Sequence, residues 1–320
     1  MSLQPSANPS STRAQPAPFG RILTAMVTPF TAEAKLDTDA AQRLATHLVD
    51  LGNDGLVLCG TTGESPTVTD GEADRLVRAV VDAVGDRAAI VAGVGTNDTH
   101  HSVTLARQAE KAGADGLLVV TPYYSKPPQA GVVAHFLAVT EAAALPVMLY
   151  DIPGRTSVKI SMKSMLELSG HDQIVAVKEA SGDLFNGARV MAETDLAFYS
   201  GDDALNLAWL AIGAVGVVSV VGHLAAHRYA AMVAAVDAGD LTSARAINAA
   251  LWPAVRGVMT RTQGAIMVKA ALQMSGVLHH RTMRLPLVEA TDDEIALLRS
   301  DLVASDLLSV IATETTKEVS

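Results

Sequence analysis

The amino-acid sequence predicts an α/β fold, a (β/α)8 barrel followed by a C-terminal helical appendage. Eight short, largely apolar runs recur between Ile22 and Ala238, and segments of helical period lie between them. Continuous apolar runs are typical of parallel strands that are covered on both faces. Each parallel crossover needs a helix, and eight strands can close into a barrel that has no edges. An open, doubly wound sheet remains the structural alternative at this point.

The eight runs are predicted to be the strands of the barrel. Their bounds are 23–27, 56–59, 89–92, 117–120, 147–150, 174–177, 197–199 and 217–221. Residues 38–51 and 98–112 carry apolar side chains at helical spacing. Gly52, Gly113 and Gly213 stand where a helix should stop, and each is followed three residues later by a second glycine before a strand. The recurring joint indicates an internal repeat.

Three regions follow from these patterns. Residues 1–18 are rich in Pro, Ser, Ala and Gln without periodicity, and we interpret them as a disordered tail. Residues 19–238 are predicted to form the barrel, and residues 239–320 a C-terminal helical domain. Helical patterns in that last region cover 241–258, 264–275 and 292–308.

Composition excludes several classes of protein. The 320 residues carry a net charge of −10 and are 49% hydrophobic, which is too apolar for a disordered chain and too acidic for a nucleic-acid partner. The single cysteine, Cys59, excludes an intramolecular disulfide, and no signal segment is evident. Residues 204–222 are apolar but interrupted by glycines, so a buried helix and strand fits better than a membrane span. We therefore expect a cytoplasmic location without a membrane partner.

Polar residues after strand 2 form the first candidate site. Thr61 and Thr62 stand between glycines, so the backbone can approach a carboxylate or phosphate while a hydroxyl donates a hydrogen bond. Glu64 is expected to cap the following turn. An ordinary βα turn with a capping threonine is the alternative.

Two further strand ends carry tyrosines. Tyr123 and Tyr124 follow strand 4 in a loop that contains three prolines, and aromatic packing at an interface is the alternative to a functional role. Tyr150 ends strand 5 and can shuttle a proton. Arg155 can bind a carboxylate bidentately, although a salt bridge to Asp151 would also explain it.

Lys178 is the most specific single residue. It ends the apolar run of strand 6, and burial in the mouth of a barrel disfavours its ammonium form, which leaves an amine able to attack a carbonyl carbon. The alternatives are a lysine that extends to solvent and one that pairs with Glu179, and the second is weakened because successive side chains on a strand point to opposite faces. Tyr150 on the neighbouring strand makes an imine-forming site the better interpretation.

Metal and thiol chemistry receive less support. His223 and His227 are four residues apart but lack the glutamate of a His-Glu-x-x-His zinc site. Cys59 is interpreted as a core residue. We expect neither a metal nor another cofactor.

Five motifs together resemble a known family. They begin at Gly60 (GTTGES), Thr121 (TPYYSKPP), Tyr150 (YDIPGRT), Val177 (VKEASGD) and Ser200 (SGDD). In this order and spacing they resemble the 4-hydroxy-tetrahydrodipicolinate synthase (dihydrodipicolinate synthase) family. That family lies among the class I pyruvate-dependent aldolases that include N-acetylneuraminate lyase. The resemblance extends over essentially the whole folded chain.

The resemblance implies roles for individual residues. Lys178 would form a Schiff base with pyruvate, and Thr62 would hold the pyruvate carboxylate. Thr61, Tyr150 and Tyr124 match the proton-relay triad of the family. In the family, tight dimers pair into a homotetramer, and Tyr124 matches the residue that each subunit of a dimer donates to its neighbour.

The resemblance also implies the second substrate. Gly201 and Val218 match positions that line the pyruvate pocket, and Arg155 matches the residue that receives the carboxylate of L-aspartate-4-semialdehyde. The implied reaction is the entry step of diaminopimelate and lysine biosynthesis. Another pyruvate-dependent aldolase, such as a keto-deoxy-sugar acid aldolase, is the alternative enzyme. A silent keto-acid-binding module and a class II metal aldolase are less favoured.

Feedback inhibition by lysine is expected to be weak or absent. In sensitive members of the family the inhibitor site uses histidine and glutamate side chains. The corresponding positions here are Asp70, Ala73 and His101, while Asn97 and Tyr123 remain. A lost carboxylate partner and a possible cation at His101 should weaken the binding of an ammonium group.

Overall fold

Eight parallel strands close into a (β/α)8 TIM barrel in this computed structural model, which describes residues 16–308. The strands are β1 (Ile22–Ala25), β2 (Gly55–Leu58), β3 (Ala89–Gly93), β4 (Gly116–Val120), β5 (Val147–Asp151), β6 (Ile174–Glu179), β7 (Ala197–Ser200) and β8 (Gly216–Ser219). Each strand pairs with the next, and β1 pairs with β8. The predicted barrel is confirmed, and the open sheet is wrong.

Helices cover the outside of the barrel and form the C-terminal region. They are α1 (Thr38–Asp50), α2 (Asp70–Val84), α3 (Thr99–Ala112), α4 (Gln129–Thr140), α5 (Pro153–Thr156), α6 (Met162–Leu168), α7 (Leu184–Glu193), α8 (Asn206–Ile212), α9 (Gly222–Asp237), α10 (Leu241–Met259), α11 (Gly264–Met274) and α12 (Asp292–Ala304). All eight predicted strands and all five predicted helical segments are present, with ends shifted by at most four residues.

The predicted tail over residues 1–18 lies outside the described residues except for 16–18. Ala17 packs against side chains inside the barrel, next to Phe19, which is 1% exposed. The phenol of Tyr199 donates a hydrogen bond to the Gly20 carbonyl over 2.9 Å. Phe19 and Tyr199 therefore form a packed floor at the amino ends of the strands.

The repeated glycine joints have a direct structural reason. Gly113 ends α3 with a φ of 92°, in the left-handed region that side chains with a Cβ rarely adopt. Gly116 then opens β4 against the floor, where a Cβ would lie 2.3 Å from the ring of Phe19. At the corresponding joint Gly213 has a φ of 117°, and a Cβ at Gly216 would lie 2.1 Å from the carbonyl oxygen of Arg21.

The apolar stretch 204–222 folds as α8 followed by β8, as predicted. Trp209 and Leu210 are buried in the layer between strands and helices. Within residues 16–308 the structure contains no helix that is long and apolar enough to cross a membrane. The C-terminal helices α10 and α12 pack on each other through Asp301, whose buried carboxylate accepts hydrogen bonds from Arg256 and Arg261.

Candidate active site

Lys178 and Tyr150 lie side by side inside the barrel. The two residues are register partners on β6 and β5, and both are 5% exposed. The Lys178 Nζ lies 4.3 Å from the centroid of the Tyr150 ring. Strand alternation sends the next residues, Asp151 and Glu179, to the outer face of the barrel, as predicted for Glu179. The carboxylate of Glu179 accepts hydrogen bonds from its own loop rather than from Lys178.

Gly201 presses directly on the lysine side chain. Its N–H donates to the carbonyl of Glu179 over 2.7 Å, and a Cβ at this position would lie 2.9 Å from Cγ and 3.1 Å from Cε of Lys178. Only glycine leaves space for the lysine here. Val218, on β8, is 1% exposed and belongs to the same inner cluster as Tyr150.

The loop after β2 brings the two threonines to the same end of the barrel. Thr62 is 7% exposed, and Thr61 is half-buried on the wall of a cavity. The turn is closed by a hydrogen bond from the N–H of Glu64 to the carbonyl of Thr61 over 3.2 Å. The hydroxyl of Thr28 donates to the carbonyl of Gly63 over 2.6 Å and fixes the middle of the loop.

A cavity of about 230 Å³ opens at the carboxyl ends of the strands. Thr61, Tyr123, Tyr150 and Arg155 are among the residues that line it. Lys178 adjoins the cavity through its contact with the Tyr150 ring. A small ligand with a carboxylate therefore meets hydroxyls, a guanidinium and a neighbouring amine in one place.

Arg155 is exposed on the short helix α5. No carboxylate within residues 16–308 forms a salt bridge with it, so the alternative of an Asp151 partner is wrong. Asp151 instead is 0% exposed, and its Oδ1 accepts a hydrogen bond from the N–H of Ile160. The guanidinium at the cavity wall is thus available to an acidic ligand.

The two adjacent tyrosines point in different directions. Tyr123 is half-buried and lines the cavity, whereas Tyr124 is 89% exposed. Tyr124 has a φ of 71°, a conformation that is uncommon for a residue with a side chain. This backbone turns the second ring away from its own barrel mouth.

Behind the site, on the outer face of the barrel, two acidic side chains are buried together. Burial, together with a smaller effect of the neighbouring Glu179, raises the pKa of Asp151 to about 7. Burial also raises the pKa of Glu179. Both carboxyls lie directly behind the candidate catalytic residues, one peptide unit from Tyr150 and Lys178.

Glu64 does not have the role expected from the sequence. It makes no capping hydrogen bond to the short 3-10 helix that follows at Ser65–Thr67, so that prediction is wrong. Its side chain is 2% exposed and accepts a hydrogen bond from the Nζ of Lys269 over 2.5 Å. Lys269 was not predicted as a functional residue, although a single lysine in the apolar stretch 265–272 was a visible signal.

The remaining polar candidates have structural surroundings. The ring of His223 is buried and contacts the N–H of Val27 and the carbonyl of Val220. Cys59 is buried as predicted, and burial raises the pKa of its thiol to about 12. In the part of the chain that the structure describes, no three His, Cys, Asp or Glu side chains converge as a metal site would require.

Comparison with known proteins places this geometry in a family. The family model described as "Dihydrodipicolinate synthetase family" matches residues 18–305. A 4-hydroxy-tetrahydrodipicolinate synthase of Kineococcus radiotolerans is 61% identical over 300 residues, 93% of this chain and 97% of the relative. The enzyme of the same name from Acidothermus cellulolyticus is 60% identical over 92% of this chain and 95% of its own length.

Solved structures agree with the sequence relatives. The dihydrodipicolinate synthase of Cyanidioschyzon merolae with lysine bound has a TM-score of 0.88 at 40% identity, covering 91% of this chain and 99% of that one. The synthase of Acinetobacter baumannii complexed with pyruvate has a TM-score of 0.86 at 31% identity, covering 90% and 99%. The resemblance noted in the sequence and the enzyme class that it implies are confirmed, and the chain belongs to the dihydrodipicolinate synthetase family.

Proposed function

We propose that the chain catalyses the reaction for which its relatives are named. It condenses pyruvate, held as a Schiff base on Lys178, with L-aspartate-4-semialdehyde in diaminopimelate and lysine biosynthesis. The observation that carries the proposal is the buried Lys178 amine against the Tyr150 ring, beside a cavity with a free guanidinium. The relatives named above and the pyruvate complex of the Acinetobacter baumannii structure support the choice of substrates.

The lysine supplies covalent catalysis. Its neutral amine attacks the carbonyl carbon of pyruvate, the carbonyl oxygen leaves as water, and uptake of one proton gives a protonated imine. The imine draws electrons from the adjacent methyl group, so loss of a methyl proton gives an enamine. The enamine carbon then bonds to the aldehyde carbon of the second substrate, and the aldehyde oxygen takes up a proton. The amino group of the semialdehyde then attacks the imine carbon, which breaks the bond to Lys178 and frees its amine. This chemistry needs no separate cofactor as electron sink, because the protonated imine on Lys178 accepts the electrons.

Each of these steps moves a proton, and hydroxyl groups are present to carry it. Tyr150 contacts Lys178 and lines the cavity together with Thr61. A positioned hydroxyl that gives and takes a proton contributes typically about 10²- to 10⁴-fold to the rate. Tyr124, exposed on its own subunit, is assigned to the relay of a neighbouring subunit in a homotetramer built as a dimer of dimers.

Substrate binding is assigned to the remaining candidates. Thr62 and the backbone near it hold the pyruvate carboxylate, and Gly201 and Val218 line the pyruvate pocket against the lysine. Arg155 binds the carboxylate of the semialdehyde, since a guanidinium can form two parallel hydrogen bonds with a carboxylate. The reaction is assigned to the cytoplasm.

Reductive trapping tests the proposal. Borohydride added with pyruvate should fix the imine, and peptide mass mapping should place the added mass on Lys178. Adding aspartate semialdehyde should reduce labelling, because condensation discharges the intermediate. Lys178→Ala should abolish labelling, whereas Lys163→Ala, at an exposed lysine of α6, should retain it.

Two results would contradict the proposal. Unlabelled parent protein would remove the imine mechanism. Efficient discharge by a sugar aldehyde rather than by aspartate semialdehyde would favour a keto-deoxy-sugar acid aldolase.

A further inference from the structure

Glu64 and Lys269 form a buried ion pair between the loop after β2 and the C-terminal helices. The two residues are 2% and 0% exposed. Lys269 also donates a hydrogen bond to the Thr282 carbonyl over 2.8 Å, and the second oxygen of Glu64 accepts one from the backbone N–H of Arg284 over 3.0 Å. Both charges are therefore hydrogen-bonded on more than one side.

The loop needs such support, because its backbone is held in an uncommon conformation. Glu64 has a φ of 56° and a ψ of 37°, in the left-handed region. A residue with a side chain persists in such a conformation when its surroundings enforce it. The same residue closes the turn by its hydrogen bond to the Thr61 carbonyl. Because of this hydrogen bond, any displacement of Glu64 also displaces Thr61 and Thr62, which precede it by three and two residues.

Aromatic and guanidinium contacts hold the same region from a second side. The Lys269 ammonium and the Arg284 guanidinium each lie 4.2 Å from the centroid of the Phe30 ring. Arg284 donates to the Thr67 carbonyl over 2.7 Å and to both carboxylate oxygens of Glu72. The C-terminal region therefore holds the chain before and after Glu64.

We infer that the Glu64–Lys269 ion pair is a positioning element, by which the C-terminal helical region holds Thr61 and Thr62 in place for pyruvate. The inference rests on the proposed function for the identity of the substrate. A buried ion pair is weak evidence for stability, because desolvation offsets much of its attraction. The hydrogen bonds of the Glu64–Lys269 pair are directional, so they fix the position of the loop. An apolar contact of the same size is not directional and would allow the loop to shift.

The test replaces the pair by apolar residues of similar length. In Glu64→Met/Lys269→Met no charge is left buried without a partner, so the fold should persist with a similar Tm. Asp301→Asn is the control, because it removes a buried carboxylate that pairs with Arg256 and Arg261 in the C-terminal region and does not touch the loop. The readout is the pyruvate concentration that gives half-maximal borohydride trapping on Lys178. The Tm of each variant is measured alongside it.

The double variant should need at least roughly tenfold more pyruvate for half-maximal trapping, because a small displacement of a binding group causes a large loss of affinity and rate. The control should keep the half-maximal concentration of the parent, even with a lower Tm. Glu64→Gln, which keeps the shape and an acceptor for Arg284, should give a smaller increase.

Unchanged pyruvate dependence in either Glu64 variant would overturn the inference. An increase in Asp301→Asn as large as that of the double variant would also overturn it, since general loosening would then be sufficient. Absence of trapping in the parent protein would instead contradict the proposed function.

Discussion

The buried carboxyl of Asp151 makes a quantitative prediction about stability and pH. Its Oδ2 atom is buried and has no hydrogen-bond partner among the described residues, while Oδ1 accepts a single bond from the N–H of Ile160. Burial raises the pKa of this carboxyl from 3.8 to about 7. Since the raised pKa belongs to the folded state, folding takes up a proton between these two values.

The sign and size of the effect follow from this difference. The contribution of Asp151 to stability is fully present below pH 3.8 and is lost as the pH rises through about 7. One proton of difference corresponds to about 1.4 kcal/mol per pH unit. Because the carboxyl is already half ionised near pH 7 in the folded state, the contribution should decrease by about 2 kcal/mol per chain between pH 5 and pH 7, as an order of magnitude.

Urea unfolding of the parent and of Asp151→Asn at half-unit steps from pH 5 to pH 8 measures this difference. The asparagine keeps the acceptor for Ile160 and does not titrate, so the variant should lose the decline assigned to Asp151. Asp183→Asn is the matched control from the same region, because the Lys159 ammonium helps hold the pKa of Asp183 at about 2. The control should shift stability by the same amount at every pH.

A profile of Asp151→Asn that runs parallel to that of the parent would refute the reasoning. It would mean that the carboxyl is ionised in the folded protein across the whole range.

Four further outcomes are expected at the site. Lys178→Ala should abolish synthase activity while leaving the Tm and circular dichroism of the barrel intact; unfolding would contradict this. Arg155→Lys should lower kcat/KM for aspartate semialdehyde far more than it lowers trapping by pyruvate, because lysine lacks the bidentate geometry; equal losses would refute the assignment. Mixing inactive Tyr124→Phe with inactive Lys178→Ala under subunit exchange should restore activity, since a mixed dimer contains one intact site; no recovery would place Tyr124 in its own subunit's site. Lysine should inhibit weakly, because the Asp70 carboxylate lies 2.9 Å from the His101 ring and is therefore already engaged rather than available to the ammonium group of the inhibitor. Half-inhibition below millimolar lysine would contradict this.

The strands and the central pair of the site could be predicted because their signals are local. Apolar runs and glycine joints repeat within about 30 residues, and the end of each run marks the barrel mouth. Consecutive strands are neighbours, so Tyr150 and Lys178 had to meet once both strands were recognised. Alternation of side chains along a strand was sufficient to separate Lys178 from Glu179.

The role of Glu64 could not be predicted in the same way. Its partner Lys269 is 205 positions away, and nothing in the local sequence of the loop indicates that contact. In the six-residue motif GTTGES alone, Glu64 is a reasonable side chain to cap the following turn. The local interpretation failed because the true partner lies outside this motif. Asp151 was considered only as a partner for Arg155, because its burial depends on how α6 and α7 pack over the strands.

The alternation of side chains at the ends of β5 and β6 also restricts where residues can be inserted into this protein. On each strand an inward residue, Tyr150 or Lys178, is followed by an outward acid. A single residue inserted within either strand would exchange the two faces, placing a carboxylate in the barrel and the phenol or the amine among the helices. Insertions beyond Glu179 do not exchange the two faces, because β6 and its alternation end there. Natural or engineered variation in length is therefore expected in the loops that follow these strands, while the strands keep a constant number of residues up to the reacting side chain.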